Sequence, residues 1–339
     1  MSYNSVSTPR IYVDNLSYLQ SAGVFVPEAD AFGFSLATPY THYDVVDNPT
    51  WLGGNFSNKV NIPYNFVAAL GHRFGTALAD ASPALASVGF ILKNDEVEVS
   101  RLDNFSESPG GVNIDYNYDG YSMWTFPRTY ELYNEFLIRF GYTNPNGGDV
   151  QVGRIIAGSY FDFPHSPDLK LSLSYTTGTK NTETKGGVSL SNNMWTVPKW
   201  GDMAAWELNS TEATASIPNL SHQSRKTWDI TFSFLSKENT FPKYNTLNRL
   251  PGESIPPSGE SAPEEVIAGY EYFNNNETLY DSEDFYSMVW NRVGTHLPFI
   301  FQPDNTQADF VIAKFAKDIK FDQQSPNLWQ CKLVVKQVW

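Results

Sequence analysis

Cysteine is almost missing from this chain: Cys331 stands alone among 339 residues. A single thiol cannot form an internal disulfide, so a fold of this size must be held by packing or by assembly rather than by covalent staples. Cys331 lies in the apolar run LWQCKLVV, where a small buried thiol is expected. Charge is also scarce, at 18% of residues, against the roughly 25% usual for globular domains. What charge there is leans one way, with 37 acidic side chains against 23 basic and a net −14. That excess repels phosphate backbones, where binding depends on Lys and Arg releasing counterions, so nucleic acid is not an expected partner. Long apolar runs are missing too. Nowhere do eighteen apolar residues follow one another, and MSYNSVSTPRIYVDN has no charged leader before an apolar stretch. These features predict cytosolic synthesis without a signal peptide and no membrane insertion.

What the chain does have is material for sheets. Hydrophobic residues reach 41% and aromatics 15%, enough to bury a substantial core. The length exceeds what one core usually supports, which predicts two domains. Strand-like runs recur: RIYVDNLSYL, YSMWTFP, EFLIRFGY, VGRIIAGSYFDF, LKLSLSYT, TWDITFSFL, HLPFIFQP, DFVIAKFA and WQCKLVVKQVW. Alternation with period two is clear at Leu169, Leu171, Leu173 and Tyr175, and again at Trp228, Ile230, Phe232 and Phe234. Strands of that kind bury one face, so the fold class is all-β, with two antiparallel sandwich domains.

Helix is sparse. VAALGHRFGTALADASPAL is weakly helical because Gly71, Gly75 and Pro83 interrupt it. SEDFYSMVWNRVG is a better case: Ser282 can cap, Glu283 and Asp284 suit the first turn, Phe285, Met288 and Val289 share a face, and Gly294 can close the end. One short helix is therefore predicted over about 283–293, in the C-terminal domain. TNPNGGD at 143–149 marks the domain boundary, giving domains 1–149 and 150–339. RLPGESIPPSGESAPEE at 249–265 predicts an exposed loop inserted in the second domain.

Catalytic patterns do not emerge. The five histidines are scattered, none with metal-ligand spacing, and no nucleophile elbow, phosphate loop or dinucleotide fingerprint occurs, so no enzyme activity is expected. The most specific local signal is DYNYDGY. Asp115, Asn117 and Asp119 alternate before Gly120, the opening of a calcium loop. The position where a calcium loop of the helix-flanked kind needs a bidentate Glu is Phe126, and a hairpin turn at 118–121 explains the same residues. Calcium is accordingly the one candidate cofactor, with Asp115, Asn117 and Asp119 as its ligands. Aromatics crowd the same region, and Asp115, Tyr116, Tyr118 and Tyr121 form a candidate carbohydrate-binding set, since exposed rings beside polar loops give sugars a flat apolar platform. Core packing explains most of these rings more simply.

VNIPYNFVAALGHRFGTALADA and YELYNEFLIRF resemble the galactose-binding-like, discoidin-type jelly rolls found in phage virion proteins. VQVGRIIAGSYFDFP, with Gly153, Arg154, Ile155 and Gly158, looks like the strand that follows such a domain in phage tail proteins. From there, RKTWDITFSFLS, the helix FYSMVWNRVG, the strand LPFIFQPD and a closing VVKQVW follow an order similar to the distal tail and minor tail protein families, with a long 236–284 insertion as a departure. The resemblance implies a structural virion protein at the tail tip or baseplate. Its partners would be further copies of itself in a ring, other tail proteins and, for a jelly roll facing outward, host surface glycan. The alternative it leaves open is a carbohydrate-binding host-adhesion module, with or without calcium.

A ring needs a large complementary surface, and Trp339 is a candidate interface residue because a terminal Trp after Val334, Val335 and Val338 puts a large apolar side chain where fraying favours small or polar ones. Trp339→Ala is expected to lower recovery in assembled particles while costing the isolated chain little. Loss of a core ring would instead cost about 3–5 kcal/mol of folding stability, so a drop in melting temperature large enough to explain poor assembly would return Trp339 to the core.

Overall fold

The structure, a computed structural model, describes residues 6–27, 42–44, 50–60, 62–72, 85–102, 120–128, 132–142, 149–151, 154–193, 199–200, 203–204, 225–242, 282–307 and 309–338. Its strands in chain order begin with β1 (Arg10–Asp14), β2 (Phe25–Pro27), β3 (His42–Asp44), β4 (Thr50–Val60), β5 (Phe66–His72), β6 (Leu85–Asn94) and β7 (Val97–Leu102). Next come β8 (Gly120–Thr125), β9 (Tyr133–Tyr142), β10 (Asp149–Gln151), β11 (Arg154–Asp162), β12 (Ser172–Thr176), β13 (Thr179–Glu183) and β14 (Ser189–Asn193). The last are β15 (Lys199–Trp200), β16 (Met203–Ala204), β17 (Arg225–Ser236), β18 (Phe299–Gln302), β19 (Val311–Phe315), β20 (Lys320–Ser325) and β21 (Leu328–Gln337). Helical segments are α1 (Asn15–Ser21), α2 (Lys237–Thr240) and α3, a π-helical turn Tyr286–Trp290 continuing as Asn291–Val293.

The protein is all-β, and every strand pairing among the described residues is antiparallel. One sheet runs β12-β17-β21-β19-β18-β1-β11-β5-β8, with β20 also on β21, and a five-stranded sheet runs β2-β4-β9-β6-β7. β1 sits inside the large sheet, in register with β11 from Arg10 opposite Asp162 to Asp14 opposite Gly158, and with β18 from Arg10 opposite Gln302. The large sheet thus draws strands from both sides of residues 143–148, which lie outside the described residues along with the 249–265 segment. The β1–β11 approach requires a glycine: a Cβ on Gly158 would come within 1.9 Å of the Val13 carbonyl oxygen.

Two runs take a different form from the one their sequence suggests. RIYVDNLSYL is a strand only as far as Asp14, whose carboxylate accepts from the Leu16 and Ser17 amides at 3.1 and 3.2 Å and so starts α1. FVAALGH is strand rather than weak helix. Val67 and Ala69 face one core and Phe66, Ala68 and Leu70 another, and a strand buried on both faces shows no polar alternation by which it can be told from helix. α3 forms where a helix is expected, with Phe285, Met288 and Val289 buried together. Its cap is one residue pair further on than expected: Asp284 Oδ1 accepts from the Ser287 amide at 2.9 Å, and Ser282 donates to Asp284. Gly294, at φ 47°, ends it.

Three apolar clusters hold the layers. In the first, Val67, Ala69, Trp124, Ile155 and Ala157 of the large sheet meet Phe56, Phe90, Phe136 and Ile138 of the five-stranded sheet, which makes a sandwich. In the second, Trp228, Ile230, Phe232, Leu333 and Val335 lie under Phe285, Met288 and Val289 of α3. The third occupies the opposite face of the large sheet around Tyr12, Phe66, Ile156 and Ile300. Cys331 belongs to the second cluster, and burial pushes its thiol up to about 12. It is therefore expected to stay unmodified by a thiol reagent at pH 8 in the folded protein and to react fully after denaturation. Rapid labelling of the native chain would contradict that packing.

Where the first two clusters meet, α1 begins with a buried polar junction. Arg154 Nη2 donates to Asp14 Oδ2 at 2.9 Å and to Ser17 Oγ at 2.6 Å, while the Arg154 Nε and Nη1 have no acceptor among the described residues. Burial lowers the Arg154 pKa and the Asp14 carboxylate opposes that shift. Asn15 links three further elements: its amide donates to the Pro63 carbonyl and to Ser159 Oγ, both at 3.1 Å, and its oxygen accepts from Arg292 of α3 at 2.8 Å. The Asp14 and Arg154 side chains are 6% and 3% exposed, so solvent cannot replace a lost partner. Asp14→Ala is expected to destabilise the protein by about 3–5 kcal/mol, the cost of leaving a buried charge unpaired. Denaturant unfolding measures it; a loss below about 1 kcal/mol, the level of a surface pair, would remove the junction's structural weight.

Candidate interaction surfaces

Asp115, Tyr116, Asn117, Tyr118, Asp119 and Trp339 lie outside the described residues. Tyr121 is in β8, in register with Leu70 of β5. Among the described residues, no group of three or more His, Cys, Asp or Glu side chains lies together as a metal ion requires. No helix among them is long and apolar enough to cross a membrane.

A groove of about 900 Å³ lies where the end of β11, the segment after β8, α2 and the start of α3 converge. Tyr160, Asp162, Arg128, Glu283, Phe241 and Asn327 are among its walls. Its charged groups are largely committed to each other. Asp162 accepts from Arg10 in a bidentate pair at 2.6 and 2.8 Å, and the Arg10 guanidinium lies 4.0 Å over the Tyr160 ring. Burial by itself would lower the Arg10 pKa, but the bonds to Asp162 and the neighbouring Tyr12 raise it overall. Glu283 accepts from Arg128, and Asp284 serves the α3 cap. Among the described residues, neither histidine nor cysteine lines the groove. Such walls can hold a polar ligand by hydrogen bonds and ring contact.

The second surface is a projecting hairpin. Beyond β12, which ends the large sheet among the described residues, β13 and β14 pair with each other in a two-stranded ribbon, from Thr179 opposite Asn193 to Glu183 opposite Ser189, and with no other described strand. Its turn is held by Thr184, whose Oγ1 and carbonyl accept from the Val188 and Gly187 amides, with Gly187 at φ 80°. Every residue from Thr179 to Asn192 is exposed. Val188 and Leu190 in this arm, Tyr175 in β12, and Leu169 and Phe234 at the same sheet edge all present apolar side chains to solvent. Phe234 is 67% exposed because a register shift between Phe232 and Leu235 breaks the alternation that buries Trp228, Ile230 and Phe232.

Sequence reasoning missed both surfaces. The groove joins segments distant along the chain, which no local pattern reveals. The arm did carry a signal, since TETKGGVSLS places a Gly pair between short polar runs, but it lacks the apolar alternation that marks a buried strand. Compared with protein-family models, with curated proteins and with solved structures, the chain matches none.

Proposed function

We propose that this chain is a structural subunit of a larger assembly and, following its resemblance in sequence, of the tail tip or baseplate of a tailed phage. The observation that carries the assembly reading is the arm at 179–193 together with the uncovered side chains at its base. A two-stranded ribbon contributes little to its own stability in water, and a fold gains nothing by holding Val188, Leu190 and Phe234 in solvent. These features are accounted for if the arm and the β12 edge lie against another subunit. A strand edge with no partner among the described residues, as at β12, is the kind of place where further chains add to a sheet. Mechanical function of this type needs complementary surfaces and no catalytic centre.

A second reading, adhesion to host glycan, is favoured by one observation. The groove sets Tyr160 and Phe241 beside Asn65, Asn239 and Asn327, a combination of rings and planar amides suited to sugar hydroxyls. The two readings are compatible, because a tail-tip subunit can also touch the host.

Replacing residues 179–193 by a short Gly-Ser linker tests the assembly reading. Because every residue removed is solvent-facing or at the ribbon's end, the melting temperature of the isolated chain is expected to stay within a few degrees of the parent. Incorporation into particles is expected to fall at least tenfold. Normal incorporation of the armless chain would refute the role of the arm.

A further inference from the structure

A strand that ends a sheet exposes unpaired amides and carbonyls, and chains protect such edges by covering them, by shortness, by proline or by charge. Among the described residues the two larger sheets end in four strands, β12, β8, β2 and β7. Three of these are protected. Ser122, Met123, Trp124 and Thr125 of β8 are buried. β2 has three residues and stops at Pro27, and β7 carries Glu98 and Arg101, both exposed. β20, which branches from β21, carries Lys320 and Asp322. β12 differs from all of them. Its sequence SLSYT has neither charge nor proline, and four of its five residues are exposed. Its register with β17 runs without a bulge from Ser172 opposite Asp229 to Thr176 opposite Arg225.

The same strand is its own complement. Leu173 lies opposite Trp228 and packs against the second cluster, so Leu173 and Tyr175 point to the core face while Ser172, Ser174 and Thr176 point to the other. Two copies of β12 set antiparallel about an axis through Ser174 put each Leu173 opposite a Tyr175, each Ser172 opposite a Thr176, and Ser174 opposite itself. Every such pair joins residues of like parity, as an antiparallel ladder requires whichever amides point outward. An aliphatic chain against an aromatic ring, and hydroxyl against hydroxyl, are favourable cross-strand pairs, and no like charges meet. Tyr175, 49% exposed, and Leu173 then continue the second cluster from one copy into the next. The same operation brings the root of each arm, at Gly178, toward the segment of the other copy that holds the fully exposed Leu169.

We propose that β12 pairs with β12 of a second copy across a two-fold axis at Ser174, joining two large sheets into one. The contact is isologous, so it closes at a dimer. The inference rests on the reading of the β12 edge as an assembly contact, and adds to it the partner and the register.

Sedimentation velocity of the full chain over a concentration series tests the partner, and charge placed at the axis tests the register. The parent chain is expected to pass from monomer to dimer as concentration rises. Ser174→Lys and Ser174→Glu each set like charges opposite one another and are expected to weaken dimerisation about tenfold or more. An equimolar mixture of the two variants is expected to dimerise at least as strongly as the parent, since Lys then faces Glu. At concentrations where all are monomers, their melting temperatures should match the parent's, because Ser174 is exposed. A second readout needs no variant: amide exchange within β12 of the parent chain should slow as concentration rises. A parent chain that is monomeric at every concentration overturns the proposal. If the armless chain nevertheless fails to enter particles, assembly stands and this edge takes a different partner. Single variants that dimerise as strongly as the parent overturn the proposal too, as does a mixture that dimerises no better than either variant alone.

Discussion

The close approach of β1 to β11 at Gly158 is the constraint on which the remaining architecture depends. No side chain fits there, because the Val13 carbonyl occupies the space a Cβ would need. With that approach made, β1 lies between β11 and β18 and ties residues near the N-terminus to strands almost three hundred positions away. The next two residues turn the strand end into a hub. Asp14 caps α1 and compensates Arg154, while Asn15 reaches the Pro63 carbonyl, Ser159 and Arg292. Both side chains are buried, and their bonds join β1, α1, β11 and α3 in the interior, with Arg154 Nε and Nη1 left without an acceptor among the described residues.

Much of the all-β character was legible because strands that bury one face write their period into the sequence. Trp228, Ile230 and Phe232 are core residues as their spacing predicts, and Cys331, Leu333 and Val335 cross the same cluster. The pattern fails where both faces are buried, as at FVAALGH in β5, and where a side-chain cap switches the backbone within one run, as at Asp14. The α3 helix was legible from its apolar face and Gly294, although its capping carboxylate turned out to be Asp284 rather than the hydroxyl of Ser282. Candidate sites were harder to foresee. The groove is assembled from α2, α3, the end of β11 and the segment after β8, which lie far apart along the chain.

These surfaces share a physical logic. Packing and one polar hub hold the interior, and the irregular features lie outside it: an arm without a core and apolar side chains at the β12 end of the large sheet. Each leaves apolar side chains in water, which stabilises nothing within the chain itself.

The central structural claim is that β1 locks the large sheet into one cooperative unit. Native-state amide hydrogen exchange, resolved by residue in rising denaturant, tests it most directly. The account predicts that the amides of Ile11–Asp14 exchange only through global opening, with the same free energy as those of Ile155–Gly158 in β11 and Phe299–Phe301 in β18. Exchange of β1 by a low-energy opening that leaves β11 and β18 protected would contradict it.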